Sequence, residues 1–135
     1  MASNIKLQTT RRNAMVDGIT TDVGASGLLK IYDGAQPTTI TTALGAQVLL
    51  AQLALSATFA PAAASGVLTA NAITQDSAAD ATGTAAWYSL QTSAGVRVVE
   101  GTVGTATSDL ILNTVSIVIG GPVAVTSFTY TAPGG

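Results

Sequence analysis

The chain has 135 residues, a length that predicts one domain, and it carries a net charge of −2 with 47% hydrophobic but only 9% charged residues. It contains neither cysteine nor histidine, which excludes disulfides, thiol nucleophiles, imidazole bases and the usual zinc sites. The five basic residues are too few and too scattered for nucleic-acid binding, which needs clustered lysine and arginine.

Residues 1–9 are predicted to form an extended N-terminal arm ahead of a single β-rich domain in residues 10–135, which begins with a helix. Ile5 and Leu7 alternate with Lys6, so the arm has one apolar and one polar side. The arm is therefore expected to be either a short strand or a tether.

The helix is predicted to be capped by the hydroxyl group of Thr9 or Thr10 and to end at the glycines that follow Val23. We expect Met15, Ile19 and Val23 to dock it on the rest of the domain. The apolar residues recur at helical spacing: Ala14, Met15, Val16, Ile19 and Val23.

Two adjacent arginines, Arg11 and Arg12, lie in the first turn of this helix, where the helix dipole disfavours positive charge. This placement predicts a partner for them, either an acidic group of this chain or one on a neighbouring protein. The alternative is that both side chains are simply solvated. We predict that this end faces outward and forms the partner interface, made by Ile5, Lys6, Leu7, Arg11 and Arg12.

Short β-strands are predicted after the helix. The segment 48–56 also has helical character, because alanine and leucine favour helices, but a strand is preferred. Two hairpins are expected, one formed by residues 84–92 and 95–103 and one by 110–119 and 123–131 around Gly120-Gly121-Pro122. This pattern predicts a mainly β fold, an antiparallel β-sandwich or jelly-roll-like domain with one short N-terminal α-helix. The predicted strands are 28–33, 48–56, 66–74, 84–92, 95–103, 110–119 and 123–131.

Four large aromatic residues are available to fill the core. We expect Phe59, Trp87, Tyr88 and Phe128 to be buried, and the alternative for each is an exposed platform for a ligand.

No arrangement of residues in the sequence indicates catalysis or a cofactor. Asp76 and Asp80 lack the spacing of a calcium-binding loop, and turn formation explains both. Nothing selects a glycosidase-like carboxylate pair from these two, Glu100 and Asp109. A serine nucleophile has no histidine base. We therefore expect no enzyme activity, no metal and no cofactor.

Charged residues are scarce compared with the roughly 25% of typical soluble domains. A surface of alanine, threonine and glycine is easily desolvated against a partner, so the composition predicts a protein that functions in an assembly. The alternative is an extracellular domain solvated by its hydroxyl groups. The N-terminal residues lack the apolar region of a signal peptide, and no apolar run approaches the ~18 residues of a membrane span. We therefore expect synthesis in a cytoplasm, without export, and no membrane association.

Four segments together carry a resemblance that covers nearly the whole chain. They are RNAMVDGI at 12–19, LLKIYDGAQP at 28–37, DSAADATGTA at 76–85 and SIVIGGPVAVTSF at 116–128. These segments resemble small proteins encoded in the structural gene blocks of tailed bacteriophages and prophages. The resemblance implies a virion protein made in the host cytoplasm, and it brings no catalytic residue with it.

Within the virion, the resemblance favours a capsid decoration (cement) protein. Such proteins resemble β-rich knobs, often trimeric, that sit at junctions between capsid subunits and stabilise the head. The partners implied are the major capsid protein or other virion proteins, and further copies of the chain, with a trimer favoured. The alternative is a tail or fibre component with a receptor-binding β-sandwich, in which Trp87 or Tyr88 would stack on a sugar. A polysaccharide-cleaving enzyme lacks a credible site, and an adhesin would need an export signal.

Overall fold

The structure is a computed structural model that describes residues 5–106, 108 and 110–134. The described part of the chain contains one α-helix, α1 (Thr9–Val23), followed by nine strands. The strands are β1 (Leu28–Tyr32), β2 (Leu49–Ala54), β3 (Val67–Thr69), β4 (Gly83–Thr84), β5 (Trp87–Gln91), β6 (Arg97–Gly104), β7 (Leu110–Leu112), β8 (Ser116–Ile117) and β9 (Val125–Thr131).

Seven strands form one curled sheet in the order β2-β1-β5-β6-β7-β9-β3, and β4 pairs with β8 in a second, two-stranded sheet. Neighbouring strands are antiparallel except β6 and β7, which are parallel. The predicted mainly β, sandwich-like class with one short N-terminal helix is confirmed. The segment 48–56 forms a strand, as preferred, and not a helix.

The first predicted hairpin is confirmed, because β5 pairs with β6 in antiparallel register. The second is only partly right. β7 pairs with β9, but the predicted strand 110–119 is divided, and its second half, β8, joins the other sheet. The Asn113 side chain accepts a hydrogen bond from Ala124 N, and the Thr114 hydroxyl accepts one from Ser116 N. Such local side-chain bonds compete with the strand ladder and turn the chain.

The predicted strand 66–74 is also shorter than expected, since β3 ends at Thr69. Asn71 leaves the ladder because its backbone N–H binds Phe59 O and its side-chain amide donates to Thr58 O. The chain then continues along the outer edge of β2.

Residues 74–80 bind this outer edge of β2. Thr74 N donates to Ala54 O at 3.0 Å, and Asp80 N donates to Leu50 O at 2.8 Å. Between them, the Asp76 carboxylate accepts hydrogen bonds from Gln52 N and, as an Asx turn, from Ala78 N, both at 3.0 Å. The turn role predicted for Asp76 is thus confirmed, and the carboxylate replaces a neighbouring strand at an edge that would otherwise be open to pairing with another chain.

The core fills one face of the curled sheet with aliphatic side chains around an aromatic cluster. Phe128 packs edge-on against Phe59 and Tyr88, with ring centroids 5.6 and 5.1 Å apart. On the opposite face, Trp87 stacks on Tyr32 at 4.5 Å, and its indole N–H donates to Asp33 O. All four aromatic residues predicted to be internal are buried, so none is an exposed ligand platform.

Candidate functional site

Arg12, a side chain predicted to face outward, helps to dock helix α1 on the body of the protein. The Arg12 guanidinium donates to three backbone carbonyls: Ala132 O at 2.9 Å, and Ser65 O and Pro133 O at 3.3 Å each. The prediction that Arg12 faces outward is therefore wrong. Within the described residues the partners of its guanidinium are carbonyls and not a carboxylate, while an acidic partner on a neighbouring protein stays a prediction. The planar guanidinium with its five N–H groups can bind several carbonyls at once, and here it joins the helix to the C-terminal segment.

Two further polar side chains of α1 bind backbone N–H groups of the same loop. Asn13 Oδ1 accepts from Gly66 N, and Asp17 Oδ1 accepts from Ala63 N, both at 2.8 Å. These contacts satisfy donors that would otherwise lie partly buried without a partner. They also fix which side of the helix faces the body of the protein.

The apolar contacts of α1 follow from this orientation. Val16 and Val23 are buried and Ile19 packs against the core, so the docking roles predicted for Ile19 and Val23 are confirmed. Met15 lies beside the docked face and is 47% exposed, so its predicted docking role is wrong.

The residue that caps the N-terminus of α1 also differs from the prediction. Gln8 is the N-cap residue and its side chain makes no capping hydrogen bond, so neither Thr9 nor Thr10 is the cap. Thr9 is already the first helical residue, which shortens the predicted arm by one residue at its end.

The described part of the arm, residues 5–8, is attached to the C-terminal segment. Leu7 N donates to Gly134 O at 2.9 Å. Gly134 has a φ of +85°, and a Cβ atom there would stand 3.0 Å from Leu7 Cγ, so glycine permits this close approach. The two ends of the chain thus run together beside α1, while residues 1–4 of the predicted arm lie outside the described residues.

The joined ends and α1 enclose an open apolar groove, here called the terminal groove. Its volume is about 500 Å³, and it is lined by Ile5, Leu7, Met15, Pro133 and Gly134. Ile5 is 66% exposed, so two large apolar side chains, Ile5 and Met15, present much of their surface to solvent here.

Positive charge borders the terminal groove. Arg11 lies four residues before Met15 and is therefore its neighbour on the helix surface. It is exposed, and the first turn of α1 contains no acidic residue. The Arg11 guanidinium makes no hydrogen bond or ion pair within the described part of the chain. Lys6 is also exposed, between Ile5 and Leu7 in the arm. Residues 1–16 hold three of the five basic residues and none of the seven acidic ones.

The predicted interface residues therefore divide into two groups. Ile5 and Leu7 line the terminal groove, and Lys6 and Arg11 are exposed around it, whereas Arg12 belongs to the fold. Met15, Pro133 and Gly134 also line the terminal groove but were not predicted to belong to the interface. Nothing in the sequence indicates that residues 133–134 return to the arm, because this pairing depends on the tertiary course of the chain.

A second cluster of ionisable side chains lies on the face of the sheet opposite the core. Arg97 Nη1 lies 3.4 Å from Glu100 Oε2, and burial raises the pKa of the Glu100 carboxyl, an effect that Arg97 partly offsets. Burial also raises the pKa of the nearby Tyr32 phenol. Glu100 thus faces an arginine here and not a second carboxylate, while Asp109 lies outside the described residues.

The described residues include no group of three or more acidic side chains arranged to hold a metal ion. Among them there is also no helix long and apolar enough to cross a membrane. Trp87 and Tyr88 are only 1% exposed, so the stacking on a sugar that was considered for them in a receptor-binding role is not possible.

Comparison with protein-family models, with curated proteins and with solved structures finds no match for this chain.

Proposed function

We propose that the protein is a structural component of a tailed-phage virion, a capsid decoration protein that attaches to the shell through the terminal groove. The observation that carries the proposal is this open apolar groove beside Arg11, whose side chain has no partner among the described residues, in a chain with only 9% charged residues. The resemblance of four segments to phage structural proteins supports the virion setting.

The groove also defines the chemistry of its partner. Burying Ile5 and Met15 against another apolar surface is favourable by about 25 cal/mol per Å² removed from water. Arg11 stands at the unfavourable end of the helix dipole, and a carboxylate from outside would offset that cost with a charge-assisted hydrogen bond. The partner segment on the capsid subunit should therefore carry an apolar side chain with an aspartate or glutamate close to it.

Stabilisation of the head then follows from binding linkage. A protein that binds the expanded shell, and not its unfolded or contracted forms, adds RT ln(1 + [L]/Kd) to shell stability, about 2.7 kcal/mol per site at a hundredfold excess over Kd. Many sites on one shell would raise its resistance to the pressure of packaged DNA.

Co-sedimentation with undecorated, expanded heads of a phage that encodes this chain tests the proposal. The wild type should sediment with the heads and raise their melting temperature. Met15→Glu places a negative charge in the groove and should abolish co-sedimentation. Val118→Glu is the matched control, because Val118 is an exposed aliphatic residue that does not line the terminal groove. This variant should still bind.

The arm can be tested separately in the same assay. A chain that lacks residues 1–7 loses Ile5 and Leu7 from the groove but keeps Arg12 and every core residue, so it should stay folded and fail to bind heads. The proposal is wrong if the wild type does not bind heads, if it binds isolated tails instead, or if Met15→Glu binds like the wild type.

A further inference from the structure

A long stretch of the chain carries no charge at all. Between Asp33 and Asp76, residues 34–75 contain no aspartate, glutamate, lysine or arginine. The first part of this stretch, residues 34–48, connects β1 to β2 and is here called the neutral loop. Three of its aliphatic side chains are substantially exposed: Ile40 at 38%, Leu44 at 40% and Val48 at 43%.

The neutral loop is held in place by specific bonds at its base. Val48 N donates to Asp33 Oδ1 at 2.7 Å, and the Gln47 side-chain amide donates to Ala35 O at 2.6 Å. The two ends of the loop are thereby closed on each other, so its conformation is set by contacts of its own.

The middle of the loop is tied to the sheet. Arg97 of β6 donates to Thr42 O, and the Thr39 and Thr42 hydroxyls share a hydrogen bond of 2.8 Å within a tight turn. A surface fixed in this way loses little conformational entropy when it is covered, which favours association.

We infer that the neutral loop is the surface through which copies of this chain associate with one another. In a symmetric assembly the same residues meet near the symmetry axis, so any charge there would face an identical charge. The neutral loop avoids this repulsion, because its own residues carry no charge and the Arg97 that contacts it is paired with Glu100. The terminal groove, with the exposed Lys6 and Arg11 beside it, does not. A charged partner would lose hydration against the neutral loop without gaining an ion pair. A second copy brings an equally uncharged, apolar surface.

This inference is independent of the proposed function, because it concerns a different surface and can be tested on the purified protein. Light scattering coupled to size exclusion, and sedimentation over a wide concentration range, should give a mass that is a multiple of the 13.4 kDa chain. Leu44→Lys should place like charges together and weaken association at least about tenfold, with its secondary structure by circular dichroism unchanged. Val118→Lys, at an aliphatic residue that is 60% exposed and lies outside the neutral loop, should keep the wild-type mass.

Cross-linking gives a second readout. The chain has no cysteine, so a single introduced thiol reports only on its own surroundings. Leu44→Cys should form a disulfide-linked dimer under mild oxidation faster than Val118→Cys. The inference is overturned if the wild type is a 13.4 kDa monomer at every concentration, if Leu44→Lys keeps the wild-type mass, or if both cysteine variants oxidise at the same rate. A monomeric wild type whose head binding is lost in Leu44→Lys would assign the neutral loop to a capsid partner instead.

Discussion

The guanidinium of Arg12 lies against Gly66 so closely that a Cβ atom on residue 66 would stand 2.4 Å from the guanidinium carbon. Gly66 also has a φ of +75°, a conformation that costs other residues free energy. Through this contact Arg12 reaches the carbonyls of Ser65 and Ala132, so one side chain joins the helix, the loop before β3 and the C-terminal segment.

Gly66→Ala should destabilise the protein strongly, because the new methyl group meets the Arg12 guanidinium and the backbone must keep a positive φ. We expect the free energy of unfolding to fall by at least about 2 kcal/mol, measured by urea denaturation. Gly18→Ala is the matched control. Gly18 lies in the middle of α1, and a Cβ atom there would have no other atom within 4 Å. Because alanine favours the helix over glycine, this change should stabilise the protein by about 0.5–1 kcal/mol. Equal stability of the two variants would contradict the Arg12–Gly66 contact.

Arg12→Lys should also lower stability, although it keeps the charge. A lysine ammonium cannot reproduce the fork that binds three carbonyls at once, and the buried Ala132 would keep an unsatisfied carbonyl. The expected loss is about 1–3 kcal/mol in the free energy of unfolding. The neighbouring Arg11→Lys should change the free energy of unfolding by less than about 0.5 kcal/mol, because the Arg11 side chain is exposed and forms no bond within the described residues. A similar loss in both variants would rule out a special role for Arg12.

Asp76→Ala should remove the acceptor that binds Gln52 N at the edge of β2 and Ala78 N in the turn. We expect a loss of about 1–3 kcal/mol and faster aggregation on heating, since the edge strand becomes available to other chains. Urea denaturation and light scattering would measure the two effects. Asp80→Ala keeps the backbone bond from Asp80 N to Leu50 O, so it should change neither the free energy of unfolding nor the rate of aggregation. Unchanged aggregation of Asp76→Ala would show that the edge is protected by other groups.

The Glu100 carboxyl should make stability depend on pH. Burial raises its pKa above the usual value of about 4.5, so in the window just above that value the folded state binds more protons than the unfolded state. Its contribution to stability is therefore present at low pH and is lost as pH rises through the raised pKa. Glu100→Gln should flatten the pH dependence of unfolding in this window. An unchanged profile in this variant would mean that Glu100 titrates normally.

Local sequence patterns were sufficient to predict the strands β1, β2, β5 and β6, the β5–β6 hairpin and the end of α1 at Gly24. Each of these depends on residues that are close together in the chain. Alternating apolar residues, a glycine-containing turn and a helix-ending glycine act within a few positions, so the sequence alone determines them. The scarcity of charge, and with it the neutral loop, is likewise a property of the sequence.

Only the tertiary structure decided what the N-terminal charges and apolar residues do. Arg11 and Arg12 are adjacent and chemically identical, yet Arg12 is used in the fold and Arg11 stays exposed, because the loop at residues 63–66 and the C-terminal segment reach only one side of α1. The same contacts leave Met15 at the surface, and the bond from Leu7 to Gly134 brings together residues from opposite ends of the chain. Contacts between residues so far apart depend on the path of the whole chain, and local patterns do not encode them.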